Sequence, residues 1–152
     1  MNRKYELLQD DTKEFFGVTL YRIRALIEFN GIKVGELGGY IATEKNLDHS
    51  GNAWVSDNAR VYGNARVSDN ARVKTSFDYL CLGPIGSRCA FTTFMRSKDG
   101  GVIVACGCFT GTLEDFEARV QQVHGKDEHG QTYAAAIAFA RTMLPPQEVT
   151  AC

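Results

Sequence analysis

The sequence predicts a mixed β and α+β chain: a short parallel β-helix of two coils, capped by an N-terminal β-hairpin and followed by a small antiparallel sheet with two helices. Three observations predict it. Residues 37–73 repeat every six positions, the residues before them alternate apolar and polar, and the residues after them switch to strand-length apolar runs and then to helical spacing.

The repeat reads LGGYIA, TEKNLD, HSGNAW, VSDNAR, VYGNAR and VSDNAR from Leu37 and closes on Val73. Its first slot holds Leu37, Thr43, His49, Val55, Val61, Val67 and Val73; its fifth holds Ile41, Leu47, Ala53, Ala59, Ala65 and Ala71. A fifth-slot residue and the next first-slot residue are two apart, so both face the same side of a short strand. The Gly-Asn and Asp-Asn pairs between strands tolerate left-handed backbone angles and make corners. A six-residue period of this kind marks a parallel β-helix, here with six hexads that stay in register and fill two triangular coils. A solenoid needs roughly three stacked units to bury a continuous core. Flanking segments, a second copy of the chain, or both must therefore cover the ends. One coil apart, Trp54 falls beside Arg72 and Asp48 beside Arg66, a cation–π contact and an ion pair worth about 0.5–1 kcal/mol each at exposed sites. Arg60, Arg66 and Arg72 then read as a solvated stacked face, or as a short basic stripe for an anionic partner.

Ahead of the repeat, residues 1–36 form the hairpin cap. Tyr21, Ile23, Ala25, Ile27 and Phe29 share one face of Val18–Phe29 and Arg22 and Arg24 the other, the pattern of a half-buried strand. Asp10-Asp11-Thr12-Lys13 reads as the turn that lets Lys4–Leu8 pair with it, and Asn30-Gly31 as a second turn. Residues 37–74 are the repeat segment, and residues 75–152 the α+β unit. In the latter, Phe77–Leu82, Cys89–Arg96 and Val102–Phe109 read as strands, with a loop at Gly83–Arg88 and a hairpin turn at Ser97–Gly101. Thr112 starts a helix with Asp115 three residues on, and Leu113, Phe116, Val120 and Val123 form its apolar face up to Gly125. A last helix runs from about Gln131 to Leu144 and ends at Pro145-Pro146.

The 152 residues suffice for one compact domain or two small ones, and a formal net charge of −1 points away from nucleic-acid backbones and membrane surfaces. No apolar run reaches the length of a membrane span, and no hydrophobic signal region follows Met1, so a cytoplasmic protein is expected. Five cysteines, unevenly spaced, do not make a secreted disulfide framework.

The best candidate ligand site is Gly86-Ser87-Arg88 with Thr92, Thr93 and Arg96. A glycine loop frees backbone N–H groups, the hydroxyls add donors, and arginine offers a fork for phosphate or carboxylate. The same residues also fit a plain turn, outward polar strand positions and a surface pair. Cys106 and Cys108 share a strand face, with His124 and His129 downstream, but this spacing is not that of a usual zinc site, and small buried thiols fit as well. His49 stands where an aliphatic residue belongs; as a general base it would suit an acyltransferase, and as a packed residue a corner. No cofactor motif is present in the sequence.

Taken as a set, TLYRIRAL (Thr19–Leu26), GELGGYI (Gly35–Ile41), the GNAWV and DNARV hexads, PIGSR with TTF (Pro84–Arg88, Thr92–Phe94), CGCFTGTLEDF (Cys106–Phe116) and His124-Gly125 resemble small hexapeptide-repeat proteins encoded in phage and prophage genomes. The resemblance covers nearly the full length. It implies a left-handed β-helix and a phage setting, and it carries over no catalytic residues. Cys89-Ala90-Phe91 departs from the more polar stretch such proteins have after the GSR loop. The expectation is a non-catalytic homo-oligomer acting against host defences in the cytoplasm of an infected bacterium. It would sequester an anionic nucleotide signal, such as a cyclic nucleotide, through Gly86, Ser87, Arg88, Thr92, Thr93 and Arg96. The alternatives are an inhibitor of a host defence protein, such as a CRISPR effector, that uses Trp54, Tyr62, Arg60 and Arg66 as protein contacts, and an acyltransferase using His49.

Overall fold

The structure, a computed structural model, describes residues 3–146. Strands β1 (Tyr5–Phe15) and β2 (Val18–Ala25) form an antiparallel hairpin whose ends pair Tyr5 with Ala25 and Phe15 with Val18. The chain reverses at Phe16-Gly17, both at positive φ, and not at Asp10–Lys13. There the strand only shifts register between Leu8 and Thr12. The reason is Asp11, which the Arg22 Nε holds at 2.8 Å and the Tyr40 hydroxyl at 3.1 Å, so the acidic residue works on the sheet face and leaves the reversal to Gly17. The second turn, Asn30-Gly31, also has positive φ at both residues, with Phe29 bridged to Ile32.

The two-coil parallel β-helix expected over residues 37–73 is not what the chain forms. Strand β3 (Leu37–Ile41) lies antiparallel to β2 on one side and parallel to β5 (Arg60–Val61) on the other, in a mixed sheet of order β1-β2-β3-β5. Strands β4 (Trp54–Val55) and β6 (Arg72–Val73) pair parallel in a separate two-stranded sheet. Spacing explains the difference. Ile41 lies opposite Val61 and Leu47 opposite Val67, twenty residues apart, whereas Val55 lies opposite Val73, eighteen apart. The stretch between Leu47 and Val55 therefore carries two residues more than its counterpart, and the hexads do not stay in one register. Ile41 and Leu47, read as fifth-slot residues, match the first-slot valines Val61 and Val67.

Side chains from outside the repeat satisfy its backbone. Lys4 Nζ donates to the Ala53 carbonyl at 2.7 Å and the Tyr5 hydroxyl to Leu47 at 2.6 Å. At the other end the Tyr79 hydroxyl donates to the Arg60 carbonyl at 2.8 Å, and Thr93 Oγ1 accepts the Arg66 amide at 3.0 Å. Unpaired buried backbone groups are costly, and these contacts remove the cost where strands end.

The second four-stranded sheet, order β10-β9-β8-β7, is antiparallel throughout: β7 (Tyr79–Ile85), β8 (Ala90–Arg96), β9 (Val102–Cys106) and β10 (Phe109–Thr112). It is buried on both faces. Met95, Ile103 and Ala105 pack with Ile41, Trp54, Val61 and Val73 of the repeat, while Phe94 and Val104 pack against the helices. One core cluster thus contains residues from all three segments read in the sequence. Helix α1 (Leu113–Val123) is capped by Thr112, whose hydroxyl accepts the Asp115 amide at 3.1 Å. Helix α2 (Glu128–Met143) starts before Gln131 because Asp127 caps it, accepting the Gly130 amide at 2.8 Å. Among the described residues no helix is long and apolar enough to cross a membrane.

Candidate functional site

The antiparallel register places the β7–β8 loop (Gly86–Cys89) and the β9–β10 turn (Gly107-Cys108) at the same end of the sheet. Helix α1 runs back over that end, and Tyr133 reaches it from α2. Together they enclose an open cleft of about 420 Å³. Ser87, Arg88, Arg119 and His124 supply polar groups, and Phe109, Phe116, Val120, Val123 and Tyr133 supply an apolar wall.

The loop is held in one conformation. Gly86 has φ +81, and a Cβ on it would lie 2.0 Å from Tyr133 Oη, so only glycine lets the ring pass. Cys89, the last loop residue, is also at positive φ, +50, and its amide donates to the Gly86 carbonyl at 3.2 Å. Burial, with Cys106 alongside, pushes the Tyr133 hydroxyl up to about 12, so it stays neutral. Phe116 meets Tyr133 edge-on at 5.6 Å and packs tilted on Phe109 at 5.4 Å, an aromatic wall of three rings. Val123, read as part of the α1 core face, is 58 % exposed and lines the cleft.

The electrostatics favour an anion. Two arginines line the cleft and among the described residues no carboxylate does, on a chain whose net charge is −1, while His124 at its edge faces Asp127 at 3.4 Å. Among the described residues neither Arg88 nor Arg119 has a carboxylate within 4.0 Å. The C-terminal end of α1 also points here and brings partial negative charge. Anion affinity must then come from the guanidinium groups and the loop N–H groups.

Of the six residues read as a ligand site, the structure brings Ser87 and Arg88 to the cleft and puts Gly86 behind them as the hinge that Tyr133 packs on. The other three are buried elsewhere. Thr92 Oγ1 donates to Cys106 Sγ at 3.1 Å beneath the cleft, and Thr93 faces the repeat, where it accepts the Arg66 amide. Arg96 is buried at the far end of β8 and donates to the Gly100 and Pro145 carbonyls. Strand alternation explains the split: in a sheet covered on both faces, a Thr-Thr pair points one hydroxyl into each layer.

The expected protein contacts also separate. Trp54 is fully buried, with its ring edge-on to Phe29 at 5.5 Å, and does not reach the surface. Arg66 forms a two-point contact with Asp48, at 3.1 and 2.9 Å. Tyr62 is 38 % exposed and packs on Phe15, whose ring lies under Arg60. His49 falls in the stretch with two extra residues and not in a strand slot. Its Nδ1 accepts the Lys4 amide at 3.2 Å, its Nε2 faces Glu44 at 3.0 Å, and its ring stacks on Tyr5 at 4.1 Å. Both nitrogens are therefore engaged, Nδ1 with the N-terminal segment at Lys4 and Nε2 with Glu44 of the repeat. Cys106 and His124 line the cleft, and among the described residues no three His, Cys, Asp or Glu side chains cluster as metal ligands. Cys152 lies outside the described residues.

Sequence reasoning missed Arg119, Phe109 and Tyr133. The available signal was Arg119 at the margin of the helical apolar stripe, three residues past Phe116 and four before Val123. No protein-family model matches this chain, and no curated protein matches it.

Proposed function

We propose that this chain is a non-catalytic binding protein for an anionic nucleotide, held in the cleft between the β7–β8 loop and α1. The observation that carries the reading is a pocket with an aromatic wall in which, among the described residues, two arginines have no carboxylate within 4.0 Å and no carboxylate joins the lining. Arginine forks suit phosphate, and Phe109, Phe116 and Tyr133 offer apolar surface to a base. A volume of about 420 Å³ lies toward the small end for ligand pockets, roughly 300–1,000 Å³, so the cleft encloses one nucleotide unit. A larger cyclic oligonucleotide would extend past its mouth. The setting proposed with it is sequestration of a nucleotide signal of host immunity by a phage protein, supported by the resemblance of the hexad and GSR motifs.

The test is a thermal-shift screen of the full chain against nucleoside monophosphates and cyclic mono- and dinucleotides, with hits measured by calorimetry. Arg88→Ala and Arg119→Ala should each weaken binding by about ten- to a hundredfold, the size of one lost charge-assisted contact, with unchanged circular dichroism. The ligand should be recovered chemically intact after incubation. Failure of every compound to bind the folded chain, or full affinity in Arg88→Ala, overturns the reading.

A further inference from the structure

The β9–β10 turn, at the cleft, carries two thiols. Cys106 pairs with Phe109, so Gly107-Cys108 is a two-residue turn, and Cys106 and Cys108 both line the cleft. Cys106, the last residue of β9, is half-buried; its sulfur accepts from Thr92 Oγ1 at 3.1 Å and stands against the Tyr133 hydroxyl. Cys108 is exposed. Gly107 between them has φ +57, and the space a Cβ would take there is open, so the turn has room to adjust. Two chain steps of about 3.8 Å bent at a tight turn leave Cα atoms about 5–6 Å apart, within the range of roughly 4.4–6.8 Å that a disulfide spans. The other cysteines of the described residues lie elsewhere. Cys81 packs with the repeat on the opposite face of the sheet, beside Thr93, and Cys89 is exposed but does not line the cleft.

We infer that Cys106 and Cys108 form a reversible disulfide that resets the shape of the cleft. The oxidant that suits the site is a small anionic disulfide such as glutathione disulfide, whose carboxylates Arg88 and Arg119 attract to the exposed Cys108. The Cys108 thiolate attacks one sulfur of the oxidant, and glutathione leaves as a thiolate. The Cys106 thiolate then attacks the Cys108 sulfur and releases the second glutathione. Two protein thiols become one S–S bond, and their two protons and two electrons leave in two glutathione thiols. A bridge over one intervening residue gains little loop-closure stabilisation, so excess thiol reverses it. Forming the bond turns Cys106 Sγ toward Cys108 and away from Thr92 and Tyr133. Tyr133 packs on Gly86, where a Cβ would lie 2.0 Å from its hydroxyl, so a displaced ring frees the loop that carries Ser87 and Arg88. On the reading of the cleft proposed above, the dithiol is the binding form and the disulfide the releasing form.

To test this, the full chain is incubated with glutathione disulfide, blocked with N-ethylmaleimide and digested with trypsin. Cleavage after Lys98 and Arg119 gives Asp99–Arg119, in which Cys106 and Cys108 are the only cysteines. In wild type this peptide should lose two hydrogens, take no maleimide and return to the dithiol with dithiothreitol. Cys106→Ser should stop at a glutathione adduct on Cys108, and Cys108→Ser should leave Cys106 as a free thiol. The Cys89 amide donates to the Gly86 carbonyl. Its hydrogen exchange should be about tenfold faster in the oxidised wild type, the size of one weakened hydrogen bond, and unchanged in Cys108→Ser given the same oxidant. A peptide that remains a dithiol, a wild type that keeps glutathione on Cys108, or a bridge to Cys89 or to a second chain overturns the disulfide. Equal exchange in the two redox forms overturns its control of the loop. Neither readout uses a ligand, so each succeeds or fails independently of nucleotide binding.

Discussion

Gly86 sits at φ +81 with the Tyr133 hydroxyl in the space a Cβ would take, 2.0 Å away. Gly86→Ala should therefore cost about 2–4 kcal/mol, strain at positive φ plus overpacking, read as a shift in urea midpoint. Adding Tyr133→Ala should recover part of the loss, because the colliding ring is gone. Lys4 gives a second prediction. Its side chain is buried and donates to Ala53, and burial lowers its amine from 10.5 to about 8. Below pH 8 both folded and unfolded chains carry the proton, and the folded state bears the full cost of the buried charge. Between about pH 8 and 10.5 the unfolded chain keeps a proton that the folded chain has released, so stability rises with pH. Cys81 and Tyr133 act the other way, since burial raises both and their contribution falls at higher pH. The readout is the difference between wild type and Lys4→Met in urea unfolding. From about pH 8 to 10 the wild type should gain on the order of 1–2 kcal/mol relative to the variant; a constant difference would refute it.

Strand β8 shows how little a short motif says about which way its side chains point. Thr92, Thr93 and Arg96 were read together with Ser87 and Arg88 because all are polar and close in sequence. The sheet is covered on both faces, so alternation sends Thr93 into the repeat and Thr92 and Arg96 under the helices. Thr93 serves as an end cap for the Arg66 amide. Thr93→Val keeps the shape, removes the acceptor and should cost about 1–3 kcal/mol, whereas Thr93→Ser should retain most of the stability. Ligand affinity in the cleft should be the same in wild type and both variants, measured by calorimetry on the folded chains. A loss of affinity in folded Thr93→Val would return Thr93 to the binding site. The repeat teaches a related lesson at the same scale. Valines at six-residue spacing were legible from Val55 to Val73, where parallel pairing at eighteen residues follows. Farther forward the two-residue surplus between Leu47 and Val55 was hidden, because HSGNAW still looks like a hexad.

Across the molecule, a single core cluster joins Tyr5 and Ile23 of the hairpin, the repeat valines, and Met95, Ile103 and Ala105 of the antiparallel β7–β10 sheet. Unfolding should accordingly be one cooperative transition, with Trp54 fluorescence and far-ultraviolet circular dichroism changing at the same urea concentration. Two separate midpoints would mean that the segments hold together independently. The six-residue period, the Asn30-Gly31 turn, the Thr112 cap and the Gly125 stop were legible in the sequence alone, because each rests on contacts within a few residues. The alternation read over Val18–Phe29 holds only at Ile23 and Ala25, with Leu20 buried, Ile27 exposed and the strand ending at Ala25. Tertiary structure decided the rest: the pairing of β3 with both hairpin and repeat, the burial of Trp54, and the meeting of Arg88 with Arg119 across the cleft. These depend on which strands become neighbours and which face each side chain takes, and a one-residue change in register reverses every face.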